Sequence, residues 1–281
     1  MVMAAKRAGG SEMAVISIAN AKGGAGKTTV ALLLAMEFAQ AGGKVVIFDC
    51  DPLAFAAKWH ELPGAVDGIA VVTGVTFANL GANLRAQSGQ ANHVIIDLSG
   101  ARDALIALAA GLSDLMLIPV QGCTMDAQGA VHVLDIIGQV ANNVHSHINH
   151  AVVLTRVSSL VTTRAIRSVK ARLAECNVLL LDTPIIERSV YRDMFEHGGS
   201  LYTIDETKVS NLAKAQRNMQ GLALEVLRLV NGQPHLQSSG SLARICYKAP
   251  DRIQQPEGVA GPLPAARASR SFDAGAIHAD T

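Results

Sequence analysis

The residues best suited to chemistry lie close together near the start of the chain. Lys22, Gly23, Gly24, Ala25, Gly26, Lys27, Thr28 and Thr29 follow one another without interruption. Glycines at 23, 24 and 26 let the backbone turn tightly with its N–H groups inward, a cradle for phosphate oxygens. Lys27 supplies a point charge for β- and γ-phosphates. Thr28 places a hydroxyl where Mg²⁺ would sit between those phosphates. Further along, carboxylates end apolar runs: Asp49 and Asp51 follow Lys44–Phe48, and Asp97 follows His93–Ile96. A buried strand that delivers one carboxylate to a metal's water shell complements such a loop. Together these residue types point to a nucleoside triphosphate held with Mg²⁺.

Such side chains need strands to deliver them and helices to cover the strands. Ala14–Ala19 reads as a buried strand before the glycine turn, and Val30–Ala41 as a helix after it, its positive N-terminus facing the same anion. Further apolar runs predict strands at Lys44–Phe48, Ile69–Thr73, His93–Asp97, Asp114–Val120, Ala151–Thr155 and Val178–Leu181. Between and after them, helices are expected at Phe55–Glu61, Phe77–Gln87, Asp103–Leu112, Thr124 to about Val140, Thr162–Leu173, Arg188–Phe195 and Glu206–Val230. This alternation predicts an α/β fold: a mostly parallel twisted sheet with helices on both faces, occupying residues 13–231. The acids would then stand at the C-terminal, ligand-binding edge of the sheet. Residues 1–12 read as a disordered leader. Residues 232–281 lose periodicity, are dominated by Gly, Ser, Pro, Gln and Ala, and read as a disordered tail.

Composition narrows the choices. The 281 residues are 49% hydrophobic and 17% charged, which suits one sizeable globular domain. A formal net charge of +1 gives no global attraction to polyanions, so any nucleic-acid surface must be a local patch. The cysteines at 50, 123, 176 and 246 form no C-x-x-C pair and read as reduced thiols of a cytoplasmic protein. No apolar stretch reaches the ~18–20 residues of a membrane span, and no apolar segment before Ser11 suggests a secretory signal. His145, His147 and His150 lie in a polar segment without nearby acidic or cysteine ligands, which reads as a solvated loop.

Lys22 carries the classification. With a second lysine five residues before Lys27, residues 22–29 match the deviant Walker A motif of the ParA/MinD family of ATPases, and the chain resembles that family throughout 13–231. The runs from Val153 to Leu173 and from Thr183 to Gly198, followed by a final helix, resemble the VirC-type and ParF-type partition branches. The resemblance implies ATP as nucleotide and Mg²⁺ as its metal. It implies that Lys22, Lys27 and Asp51 serve catalysis, with Lys22 reaching a partner copy's nucleotide and Asp51 positioning water. Residues 22–29, Gly100 and Pro184 would contact ATP, and Thr28, Asp49 and Asp97 would serve the metal. Gly100 also reads as an ordinary turn glycine, and Asp49 as a cap of the following turn. Where the family commonly has Asp-Pro-Gln, this chain has Asp51-Pro52-Leu53, a departure that bears on hydrolysis rate more than on binding. Asp126 resembles an interface aspartate of the family. Trp59 is expected to pack on the sheet edge.

The output surface is expected on the helix from Thr162. Ile166, Val169 and Leu173 fall on one side, and Arg164, Arg167 and Lys170 within a ~120° stripe on another. With Arg188 and Arg192 nearby in sequence, the stripe reads either as a surface for DNA phosphates or as a solvated helix face. The resulting expectation is an ATPase switch, dimeric with ATP, that binds non-specific DNA on the nucleoid and segregates or positions a plasmid, chromosome or DNA-transfer complex. A small DNA-binding or cargo adaptor is the expected partner. No membrane partner is expected, because the MinD-type terminal basic helix is missing. Two alternatives remain: an ATPase that positions a protein cargo, and an electron-transfer ATPase resembling the nitrogenase iron protein. The latter needs cluster-ligating cysteines after Asp97, and residues 98–122 contain none.

Overall fold

The computed structural model describes residues 13–232, except 65, 101, 123, 159–163, 176–177 and 208 and the side chains of 124–126 and 165. The expected leader and nearly all of the expected tail, and the interface reading of Asp126, lie outside the described residues. In chain order the elements are β1 Ala14–Ile18, α1 Lys27–Gln40, β2 Val45–Asp49, α2 Phe55–His60, β3 Ile69–Val72, α3 Leu80–Gln87 and β4 His93–Asp97. There follow α4 Asp103–Leu112, β5 Leu115–Val120, α5 Thr124–Val144, β6 His150–Leu154, α6 Arg164–Glu175, α7 Ser189–His197 and α8 Leu212–Val230.

The six strands form one sheet in the order β3-β2-β4-β1-β5-β6, with every pairing parallel. Successive residues of a strand face opposite sides, and here both sides are covered. Ile16, Ile18, Ile47, Ile95 and Leu117 pack with α1, α2, α7 and α8. Val15, Phe48, Val94, Ile96 and Ile118 pack with α3, α4, α5 and α6. Burial on both faces explains why the strands read as apolar runs without alternation. Trp59 lies in the first of these layers and donates its indole N–H to Gly199 O at 3.2 Å.

Register places the chemistry. Ile18 lies opposite Asp97, and Asp97 lies opposite Asp49. The segments leaving β1, β2 and β4 therefore emerge level with one another at the C-terminal edge of the sheet.

Three expected elements differ. Val178–Leu181 is not a seventh strand. It forms a single parallel bridge between Leu180 and Val152. Beyond it the N–H groups of Asp182 and Thr183 turn to the Glu225 carboxylate of α8, at 2.8 and 3.1 Å, so donors that would extend a ladder are taken by a helix. The last helix begins at Leu212 rather than Glu206, entered through Asn211 at φ 60°. α5 continues to Val144, leaving a short loop for the histidines. There His150 Nδ1 bonds Ile148 O at 2.8 Å. Among the described residues no group of three or more His, Cys, Asp or Glu could hold a metal, and no helix is long and apolar enough to cross a membrane.

Candidate nucleotide site

The loop between β1 and α1 has the shape its glycines permit. Gly24 and Gly26 hold φ values of 80° and 94°, in the left-handed region that side chains strain to adopt. Gly26 leads directly into α1, whose first residue is Lys27. The loop is braced from outside by groups far away in sequence. The Asn20 amide donates to Pro119 O and its oxygen accepts the Lys22 N–H, both at 2.8 Å. The Gln121 amide donates to Gly24 O. The Thr155 hydroxyl donates to Ala25 O at 3.0 Å, and Lys27 Nζ reaches Lys22 O at 3.2 Å. A loop fixed in this way is organised before its ligand arrives.

Charge at the site is unbalanced in a telling way. Asp97 is 1% exposed, and neither of its oxygens has a hydrogen-bond partner of good geometry among the described residues. Burial pushes its carboxyl up to about 7. The Thr28 hydroxyl and Lys27 act against that shift, and the Asp49 and Asp51 charges add to it. Burial also pulls the Lys27 ammonium below its usual value, with Asp97 and Asp51 opposing. A buried carboxylate with so little hydrogen bonding is costly unless a cation or further donor completes it. The donor set therefore fits Mg²⁺, which Thr28 and Asp97 would hold with the nucleotide.

Asp49 and Asp51 divide the remaining work. Asp49 is buried, and its two oxygens accept the N–H groups of Asp51 (3.2 Å) and Ala57 (3.1 Å). It thus fastens the turn after β2 to the start of α2, as the capping alternative expects, while adding negative charge beside Asp97. Asp51 is half-buried, and its Oδ1 accepts the Leu53 N–H at 2.9 Å. Leu53 itself is 57% exposed. Gly100 is more than a turn glycine: a Cβ there would stand 2.7 Å from Ala21 O, so only glycine lets this segment lie against the entry to the phosphate loop.

A pocket of roughly 200 Å³ opens beside the loop, lined by Gly26, Thr29, Thr155, Ile185, Ile186, Tyr191 and Phe195, with Arg156, Glu187, Arg188 and Arg192. Pro184 does not line it but holds its wall. Pro184 O accepts the Asn218 amide at 2.8 Å, and Asn218 Oδ1 accepts the Ile186 N–H at 3.1 Å. Arg188 and Arg192 therefore belong to this pocket and not to the stripe with which their sequence proximity groups them. α7, which carries Arg192, packs on one face of the sheet and α6 on the other. Arg164, Arg167 and Lys170 are exposed on α6 and make no ion pair among the described residues, while Ile166, Val169 and Leu173 are buried, as the periodicity predicts.

Sequence reasoning missed Asn20, Gln121, Gly129 and Thr155. Two signals were present. Thr155 follows β6 at the same sheet edge that singled out the acids, and Gly129 interrupts a helix, which usually marks a close approach. A Cβ at Gly129 would collide with Asn20 Oδ1 and stand 3.1 Å from Lys22 N.

Comparison with known proteins agrees with this geometry. Protein ParA of Rhizobium radiobacter is 31% identical over 216 residues, which is 77% of this chain and 97% of that protein. Maintenance of carboxysome distribution protein A of Halothiobacillus neapolitanus is 26% identical over 193 residues, 67% of this chain and 87% of that one. The solved structure of a McdA variant from Cyanothece in complex with ATP shares the fold, with a TM-score of 0.59 at 19% identity over 81% of this chain and 100% of that one. Residues 16–199 match the family described as the CobQ/CobB/MinD/ParA nucleotide binding domain. The chain thus belongs to this family, and the braced glycine loop, its two lysines and the acid behind them all lie within the matched residues.

Proposed function

We propose that the chain is an ATP-dependent, dimerising ATPase switch that binds DNA without sequence preference and segregates or positions a plasmid, chromosome or DNA-transfer complex on the nucleoid. The observation that carries this reading is the pair Lys22 and Lys27 in one braced loop, with Lys27 close enough to the buried Asp97 to act on its charge. Lys27 would cancel charge on the β- and γ-phosphates, and Lys22 would do so on the nucleotide of a second copy. Asp51 would hold the attacking water in line, and Gly100 would set its segment against the loop. Mg²⁺, when bound, would draw charge from the phosphate oxygens. The chain's part is then mainly positioning and charge compensation. Slow hydrolysis, stimulated by a small adaptor protein, would release the DNA. Light scattering with and without ATP tests the switch: dimers should form only with ATP, and Lys22→Ala should abolish them. A Lys22→Ala protein that dimerises like wild type would falsify the reading.

A second reading is favoured by the carboxysome-distribution relative, whose name describes a protein cargo. In that case the ATPase moves a protein assembly. Co-sedimentation of the chain with candidate protein assemblies, with and without DNA, separates the two. Cargo binding that needs no DNA supports the second reading, whereas ATP-dependent retention of a random-sequence duplex supports the first.

A further inference from the structure

The segment from Pro119 to Gly129 touches the phosphate loop at three points and the basic helix at a fourth. Pro119 O holds the Asn20 amide. Gln121 donates to Gly24 O, in the middle of the loop. Gly129 packs against Asn20 and Lys22 so closely that no side chain would fit. Next to Gln121, Gly122 has no side chain, and a Cβ there would stand 2.5 Å from Ile166 Cγ1. Ile166 of α6 is buried, at 5% exposure, and sits between Arg164 and Arg167 in sequence. One side chain thus grips the phosphate loop, and the adjacent backbone carries the helix with the basic stripe.

We propose that Gln121 and Gly122 form the link by which nucleotide binding at the loop is passed to the basic face of α6, with Gln121 as a positioning residue. This inference rests on the nucleotide reading of the site but does not need α6 to bind DNA. A phosphate held in the already braced loop stiffens the peptide at Gly24, and the Gln121 amide is stiffened with it through their bond. Gly122 passes the constraint to Ile166 with no side chain between them to absorb it. Close-packed contacts transmit such constraints because they deform little. Couplings between sites typically change affinity about 5–150-fold.

Amide hydrogen exchange of residues 164–175 in the full chain, with and without a saturating non-hydrolysable ATP analogue and Mg²⁺, tests the link. Three variants interrupt it at different places. Gln121→Glu keeps the length but cannot donate to Gly24 O at neutral pH. Gly122→Ala inserts the missing Cβ, and Ile166→Ala removes the contact from the α6 side without touching the loop. In wild type the analogue should slow exchange in α6 by at least about fivefold. In Gln121→Glu, and in whichever of the other two melts cooperatively, that change should fall to less than half while the analogue still binds. An unresponsive α6 in nucleotide-bound wild type, or a full response in the variants, overturns the link and leaves the nucleotide site standing. Wild type that binds no analogue overturns the nucleotide reading as well.

Discussion

Asp97 shows how one residue can weaken the fold for the sake of the site. Burial holds its carboxyl up near 7, against 3.8 for an unperturbed aspartate. Glu37 behaves likewise: burial raises it from 4.5 to about 7, and the Tyr202 hydroxyl, which donates to it at 2.8–2.9 Å, acts against that rise. Both folded-state values lie above the unfolded ones, so the folded chain binds these protons more tightly. Their contribution is full below about pH 4 and is lost as pH rises through 7. The nucleotide-free protein should therefore melt at a falling temperature between pH 5 and 8, and differential scanning calorimetry across that range reads it. Asp97→Asn keeps the shape and removes the buried charge. It should flatten part of this slope and raise stability above pH 7 by on the order of 1–2 kcal/mol. It should also lose Mg²⁺-dependent nucleotide binding, which calorimetric titration would show. An Asp97→Asn protein less stable than wild type would mean that a partner already compensates the carboxylate.

Thr155 makes the complementary case. Its hydroxyl serves a single carbonyl of the loop, that of Ala25. Thr155→Val keeps the volume and leaves that buried carbonyl short of a donor, which costs about 1–2 kcal/mol. Part of the loss should fall on the ligand. Titration should show ATP binding about three- to tenfold more weakly, whereas an unchanged affinity would confine Thr155 to stability.

Among the elements, those that could be read from sequence and those that could not differ by how far apart their partners lie. Buried parallel strands are nearly pure apolar runs, and the six that form were readable because each reports on its own stretch. The acids were readable because a carboxylate at the end of such a run has few local uses. The braces were not, since Asn20 and Pro119 are 99 residues apart, Gln121 and Gly24 are 97, and Thr155 and Ala25 are 130. Val178–Leu181 misled for the same reason: its apolar run suits a strand, but Glu225, 43 residues away from Asp182, takes the donors that would continue it. α8 thus shapes the pocket wall from a distance, and Asn218 finishes the job by holding Pro184 O and the Ile186 N–H. Asn218→Ala should free that wall. The expected result is about 1–3 kcal/mol less stability in urea melts, with weaker binding of ATP and an unchanged affinity for inorganic triphosphate, which needs only the loop. Equal weakening of both ligands would show that the wall supports the loop rather than the rest of the nucleotide.

At the scale of the whole molecule, the sheet separates two sets of cations that sequence proximity had joined. Arg164, Arg167 and Lys170 ride on α6 above one face, exposed and without ion pairs among the described residues. Arg188 and Arg192 line the pocket beside Gly26 and Thr29, and α7 packs on the opposite face. If α6 contacts DNA, each phosphate neutralised there releases counterions and adds about 0.9 to the slope of log affinity against log salt. Changing Arg164, Arg167 and Lys170 together to Gln should lower that slope by roughly 3 in fluorescence anisotropy with a random-sequence duplex. ATP affinity should stay as it was, because none of the three lines the pocket. Arg192→Gln should do the reverse, weakening ATP binding at constant salt while leaving the slope of the ATP-saturated protein within error. Should both variants lower the slope alike, the two faces would meet on one DNA path, and the partition of cations by the sheet would have no functional meaning.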